Sequence, residues 1–403
     1  MVFGVVSAIP LCLAAYWSVR LAAADRFSRA DSIQDVERAT RLAPANPRYL
    51  LRLADLQVGE GQDASQLLRQ AATASPLDST VWLQLGLQAE LKGDIAAAEQ
   101  ALLHAAQLDR RFRPRWNLAS FYVRTNNPQR SWHWANEALQ IGQPADFAAV
   151  FRLCWTLNSR ADDIWRYAIP KTPVVLDQYL RFLLAENKLD AAEPVSMQLV
   201  EVAQAPQVQS LLVYSDAVIA AKRAASALSC WNRMSRRGLL PYPAIEPSTG
   251  KSLVNGNFDH APIGLGFDWR LSNIVGLSVK YDETTPHLRI AFSGKQPESC
   301  EPLAAWVLMQ PLRTYRLTCR YETVGIPPGS GLKWQLFNSA NGAQIIPDAP
   351  SLAHEGQTTA QMEFRTPEAF QLGRLALAYQ RAPGTIRIEG SVQIANVSLE
   401  FAP

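Results

Sequence analysis

The chain has 403 residues, 48% hydrophobic and 19% charged, the make-up of a folded protein with room for two or three domains and not of a disordered one. A net charge of +3, a pI near 8.6 and no run of Lys and Arg argue against the basic stripe that a nucleic-acid surface needs. Five cysteines (Cys12, Cys154, Cys230, Cys300, Cys319) show no CxxC spacing and no companion histidines, so structural zinc is not expected.

Val2 to Val19 carries no charge over 18 positions, the lower edge of what spans a bilayer as a helix. Tyr16 and Trp17 near its end suit a membrane interface. Ala22-Ala23-Ala24 offers small residues for signal cleavage, but no basic residue precedes the run and helix formers continue through Arg20 to Phe27. Residues 1–24 are therefore expected to be an uncleaved membrane anchor. Arg20, Arg26 and Arg29 follow the span, which by the positive-inside rule favours the cytoplasm for that side. The domain content of the body argues instead for a periplasmic or otherwise extracytoplasmic placement, and that placement is the expectation.

Residues 25–238 read as helical hairpins. In Val81 to Asp109, Trp82, Leu85, Gly86 and Ala89 fall at helical spacing, a break follows at Lys92-Gly93-Asp94, and Ala98, Leu102 and Ala105 mark one face of a second helix. Leu50, Leu53 and Ala54, then Ala64, Leu68 and Ala71, repeat the pattern one unit earlier; Trp116 and Ala119 carry it one unit later. This resembles the tetratricopeptide repeat, with Trp, Leu, Gly and a large residue on the first helix and two Ala on the second. Small residues at Gly86, Ala98 and Ala105 let the helices approach closely. Beyond Gln143 the match decays, although 176–203 and 211–238 still read as paired helices, the last as a cap. Trp82, Trp116, Trp132, Trp134, Trp155 and Trp165 are read as core, and His104 and His133 lack acidic or Cys partners for a metal. The resemblance implies a protein partner in the groove formed by first helices, where Glu90, Asn117, Phe121 and Arg124 are expected to project.

Residues 239–251 (LLPYPAIEPSTGK) bring three prolines close together and read as an interdomain linker. Over 252–403 the periodicity becomes alternating. The runs are Leu288/Ile290/Phe292, Tyr315/Leu317/Cys319/Tyr321, Leu332/Trp334/Leu336, Met362/Phe364, Leu375/Leu377/Tyr379, Ile386/Ile388 and Val397/Leu399/Phe401. These predict an antiparallel β-sandwich able to fold alone. The opening LVNGNFDHAPIGLGFDWRL and closing GTIRIEGSVQIANVSLEF resemble jelly-roll, galactose-binding-like modules that include carbohydrate-binding modules, in which the opening Asn-Gly-x-Phe segment lies beside the last strand. A glycan would need aromatic stacking and polar side chains. Trp306 lies out of phase with Leu303, Ala305 and Val307, and Arg316 and Arg320 out of phase with Tyr315, Leu317 and Cys319, so these three are expected to share a non-core face. Trp269 and Trp334 are expected in the core. Asp259, Asp268 and Glu400 stand near the family's usual calcium position without a legible ligand pattern, so no metal is assigned. Cys300 and Cys319 are the one pair placed to form a disulfide.

No nucleophile elbow, zinc helix or dinucleotide loop is present, and no cofactor is expected. The fold class is multidomain, α then β: a membrane helix, an α-solenoid and a C-terminal sandwich. It resembles single-pass repeat proteins of bacterial exopolysaccharide and exosortase systems. Two functions follow as expectations: a non-enzymatic scaffold whose repeats bind a protein and whose sandwich binds a polysaccharide, or an assembly factor whose sandwich packs on protein and binds no sugar.

Overall fold

The computed structural model describes residues 2–156 and 160–402, with side chains from Leu11 onward. It divides into two compact units, Met1–Pro170 and Lys171–Pro403.

The first unit is helical: α1 (Val2–Ser28), α2 (Ile33–Leu42), α3 (Pro47–Gly59), α4 (Ser65–Ala74), α5 (Ser79–Leu91), α6 (Ile95–Leu108), α7 (Phe112–Arg124), α8 (Pro128–Ile141), α9 (Pro144–Thr156) and the short α10 (Ala161–Asp163), which runs into a π turn. The helix starts follow from capping. Asn46, Asp78, Asp94 and Asn127 each accept a backbone N–H of the following first turn, and Pro47 and Pro128 occupy a position with no intrahelical N–H to lose. The stop between α5 and α6 is a Schellman closure: Gly93 at φ +79° lets its own N–H reach Glu90 O and lets Asp94 N–H reach Ala89 O. Packing then explains the small residues. Ala98, Leu102 and Ala105 are fully buried, and a Cβ on Gly86 would stand 2.8 Å from Leu102 Cγ.

The tryptophans lie nearer the margin than expected. Trp132 is buried, but Trp82, Trp116, Trp134, Trp155 and Trp165 are only partly so. Trp82 turns its indole N–H to Pro76 O at 2.8 Å and meets the edge of His104 with centroids 4.4 Å apart, sealing the hairpin rather than filling its centre.

In α1, Ala24 is fully buried and Phe27 packs with it on Ala39 and Tyr49, so the end of this helix belongs to the first hairpin. No helix among the described residues is long and apolar enough to cross a membrane. The anchor expected over 1–24 falls partly on residues 1–10, whose side chains lie outside the described residues.

The second unit joins α11 (Pro173–Ala185), α12 (Leu189–Val202), α13 (Val208–Ala220) and α14 (Ala224–Arg236) to nine strands among the described residues. These are β1 (Arg270–Leu271), β2 (Leu277–Asp282), β3 (His287–Ser293), β4 (Ser299–Leu308), β5 (Thr314–Val324), β6 (Leu332–Asn338), β7 (Thr358–Arg365), β8 (Leu372–Gln380) and β9 (Glu389–Phe401). They form two antiparallel sheets, β1-β4-β8-β6 and β2-β3-β9-β5-β7, with Trp269, Trp334, Tyr315 and Tyr379 in the core. Val397 N–H donates to Gly256 O at 2.8 Å, which sets the opening segment beside the last strand. Ile386 and Ile388 form no strand: Ile386 is 87% exposed in the loop before β9, and only Ile388 turns inward. Cys300 on β4 and Cys319 on β5 are on different sheets and unbonded.

The proline-rich segment is packed rather than a spacer. Leu240, Tyr242 and Ile245 are each 5% exposed. Trp231 of α14 is fully buried, stacked on Tyr242 with centroids 6.1 Å apart and met edge-on by Phe267 at 5.6 Å. Gly266, at φ +63°, passes so close beneath that ring that a Cβ would come within 2.3 Å of it. The Asn232 amide completes the join, accepting from Ile245 N at 2.8 Å and donating to Ile245 O at 2.9 Å.

Two stability outcomes follow. Gly86→Val should cost the first unit ~1–3 kcal/mol by overpacking, read as a lower urea midpoint; an unchanged midpoint would contradict the close approach of α5 and α6. Trp231→Ala should cost ~3–5 kcal/mol, the range for emptying a large aromatic site, and should lower the midpoint of the sandwich as well as that of α13 and α14. A loss confined to the helices would contradict their joint packing.

Candidate functional site

On the sandwich, the three residues expected together are separated. Trp306 lies on β4 in the four-stranded sheet, while Arg316 and Arg320 lie on β5 in the five-stranded sheet, so they point out of opposite faces. Strand phase fixes inward or outward, but membership of a sheet is set by long-range pairing. Arg316 pairs with Glu363, Nη2 to Oε1 at 2.7 Å. Arg320 is exposed, beside Asn396 and Thr359 in register, with no ion pair among the described residues.

The outer face around Arg320 is mostly polar, with Val324 and Ala291 at one end of it. Lys280, Arg289, Gln393 and Glu322 form one row across the sheet, and Glu400, Arg316 and Glu363 another, with no aromatic ring between them. Trp306, partly buried, belongs to the other outer face, in register with Arg374 and, one strand further, Phe337. That face is where the helices dock. Arg270, paired in register with Ala304, makes an ion pair with Asp216 of α13. Lys222, at the turn between α13 and α14, donates to Ala340 O at 3.1 Å. Ala304 and Ala376 on this face are 3% and 0% exposed. Trp269 and Trp334 are fully buried. No exposed aromatic pair is therefore available for stacking among the described residues of either sheet.

In the repeats, Arg124 reaches back one hairpin to Glu90 with two hydrogen bonds, Nε to Oε1 and Nη2 to Oε2 at 2.8 Å. Each neutralises the other, so neither is a free charge for a partner. The Asn117 amide donates to Arg113 O at 2.8 Å. Phe121 is 1% exposed and packs with Leu102 and Leu118; three residues after Leu118, it shares that side of α7 and does not project into the groove.

The groove has a better-formed pocket that these residues do not line. Between α3 and α5 a cavity of about 320 Å³ is walled by Val58, Leu68, Leu87 and Leu91, with Arg113 of α7 at its rim. Asp55 accepts from Gln84 Nε2 at 2.6 Å, and burial pushes its carboxyl above the ordinary range. Gln88 is 8% exposed and lines the cavity, and beside it Gln84 Oε1 is buried without a hydrogen-bond partner among the described residues. The sequence signal was there: 84, 87, 88 and 91 recur at helical spacing on a side of α5 other than that of Gly86.

Of the carboxylates weighed for a metal, Asp268 has another role. Asp268 is fully buried and accepts from Tyr242 Oη at 2.8 Å, Ile263 N at 2.6 Å and Asn255 Nδ2 at 3.3 Å, tying the packed segment to the sandwich's opening loop. Among the described residues no cluster of His, Cys, Asp and Glu is arranged to hold a metal.

No family model and no curated protein matches the chain. Among solved structures it is similar to one described as "CBM4 structure and function", with 13% identity over 37% of this chain and 98% of that one, at a TM-score of 0.29. It is similar to PilF of Pseudomonas aeruginosa, with 18% identity over 55% of this chain and 90% of that one, at 0.28. It is also similar to YrrB, described as a TPR protein with an unusual peptide-binding site, with 13% identity over 52% and 94% of the two chains, at 0.26.

Burial raises the Asp268 carboxyl above its ordinary range, and hydrogen bonds from the Ile263 amide and Tyr242 hydroxyl offset only part of that. A raised folded-state value means the folded chain holds this proton more tightly than the unfolded one. Its contribution is complete below the unfolded value and is lost as pH rises through the folded one. The unfolding free energy of wild type should therefore fall relative to that of Asp268→Asn as pH rises above about 4. Parallel pH curves for the two proteins would contradict this.

Proposed function

We propose that this protein is a non-enzymatic, membrane-anchored scaffold whose helical groove binds a segment of a protein partner and whose sandwich caps the repeat array. The observation that carries the reading is the cavity between α3 and α5, where apolar walls surround the buried, unpartnered Oε1 of the Gln84 amide. An apolar side chain fills such walls, and a peptide backbone satisfies such an amide. The alternative use of the sandwich, stacking on a sugar, has less support, because Trp306 sits on the face used by α13 and the opposite face carries no Trp, Tyr or Phe pair among the described residues. The anchor in residues 1–24 is supported by the exposed apolar side chains that surround α1 from Leu11 to Leu21. An extracytoplasmic body working in extracellular polysaccharide assembly remains part of this proposal, with the glycan handled by a partner.

The test places a photoreactive amino acid at Leu91, 74% exposed beside the cavity, or at Leu77, 80% exposed in the turn before α5. In living cells position 91 should give a discrete cross-linked protein that is lost in a Gln88→Ala, Leu87→Asp double variant, and position 77 should not. Equal adducts from both positions, or none from 91, would refute groove binding. Calorimetry of the full chain against a polysaccharide panel should show no binding that Trp306→Ala removes; loss of binding in that variant would restore the sugar reading.

A further inference from the structure

We propose that the turn between α2 and α3 binds anionic phospholipid headgroups, with Arg20, Arg41 and Arg48 forming a cationic collar where α1 leaves the membrane. This rests on the anchor reading of α1 and goes beyond it. Leu11, Leu13, Tyr16, Trp17, Val19 and Leu21 are 70%, 54%, 58%, 48%, 71% and 45% exposed. At 100° per residue they fall on every side of the helix, so one packing partner would leave several uncovered, whereas a hydrocarbon solvent covers Leu11 and Leu13 and the interface takes those that follow.

The surroundings change within one turn. Ala24 is already buried in the first hairpin, which puts the boundary between Tyr16 and Arg20. The residues there suit it: Tyr16 and Trp17 are amphipathic rings, and the Arg20 guanidinium lies 4.9 Å over the Trp17 ring. Arg20 Nε also donates to Leu42 O at 2.8 Å, which pins the end of α2 at this level. Tyr49 Oη donates to Asp25 Oδ1 at 3.0 Å, holding the start of α3 about 7 Å further along α1. The intervening turn, with Pro44 and Ala45 exposed, therefore occupies the end of the hairpin that faces the boundary.

Charge at this end is uncompensated. Elsewhere in the hairpin Arg29 pairs with Asp25, Arg38 with Asp35 and Arg52 with Asp31. Arg41 and Arg48 are exposed and have no carboxylate partner among the described residues; Arg41 donates only to Glu37 O. Unpaired guanidiniums at the headgroup level recognise a phosphodiester bearing net negative charge.

The full chain is reconstituted in nanodiscs of phosphatidylcholine alone or with phosphatidylglycerol, and amide hydrogen exchange of residues 45–50 is measured. Exchange should slow by about fivefold or more in the anionic discs. Arg41→Gln, Arg48→Gln in one chain should abolish the difference while the protein still co-elutes with both discs. Equal exchange of wild type in the two lipids, or a difference that survives the double substitution, would overturn the collar and leave the anchor standing. A chain that fails to co-elute with any disc would overturn the anchor and the collar with it. Inorganic phosphate added to phosphatidylcholine discs should change nothing; slowing by phosphate alone would overturn a lipid as the ligand.

Discussion

The Trp231 ring, held between Tyr242 and Phe267, is the contact on which the second unit depends. A helix, the proline-rich segment and the sandwich's opening loop each contribute one face to it. Gly266 can lie beneath the ring only because it has no side chain, and the Asn232 amide fixes the backbone of Ile245 against α14 from the other side. An array of hairpins leaves its last apolar face uncovered unless something caps it. Here the cap is a whole β-sandwich, docked through Arg270 to Asp216 and Lys222 to Ala340.

That docking decides which surfaces are free. On the outer face that meets the helices, Ala304 and Ala376 are covered while Trp306, Arg374 and Phe337 stay partly exposed, and the opposite outer face is mostly polar and offers no stacking platform among the described residues. In the first unit the charges expected to face a partner instead hold successive hairpins together, Arg124 on Glu90. The apolar cavity between α3 and α5 stays open. Recognition there would be by shape and backbone hydrogen bonding more than by charge.

Much of the fold was legible in the sequence because local chemistry dictates it. Gly86 with Ala98, Leu102 and Ala105 specified a close hairpin, and the alternation at Tyr315, Leu317 and Cys319 specified a strand with one core face. On β4 the inward phase of Leu303, Ala305 and Val307 was legible but the covering of its outer face was not: Pro302 and Ala304, out of phase with them, are buried as well. The later hairpins lost their signature because Asn126, Asn187 and Lys222 take the positive φ that Gly93 takes in the clearest repeat. The site suffered most from non-local effects. Sheet membership parted Trp306 from Arg316 and Arg320, and Tyr242 and Ile245 turned an apparent spacer into a packed element.

On this packing α13, α14 and the sandwich form one cooperative body, which hydrogen exchange on residues 171–403 and on residues 248–403 alone tests. Amides of β1, β4 and β8 should exchange at least about tenfold faster in the shorter chain, since it lacks Trp231 and the helices over that sheet. Equal protection of those strands in the two chains would contradict it.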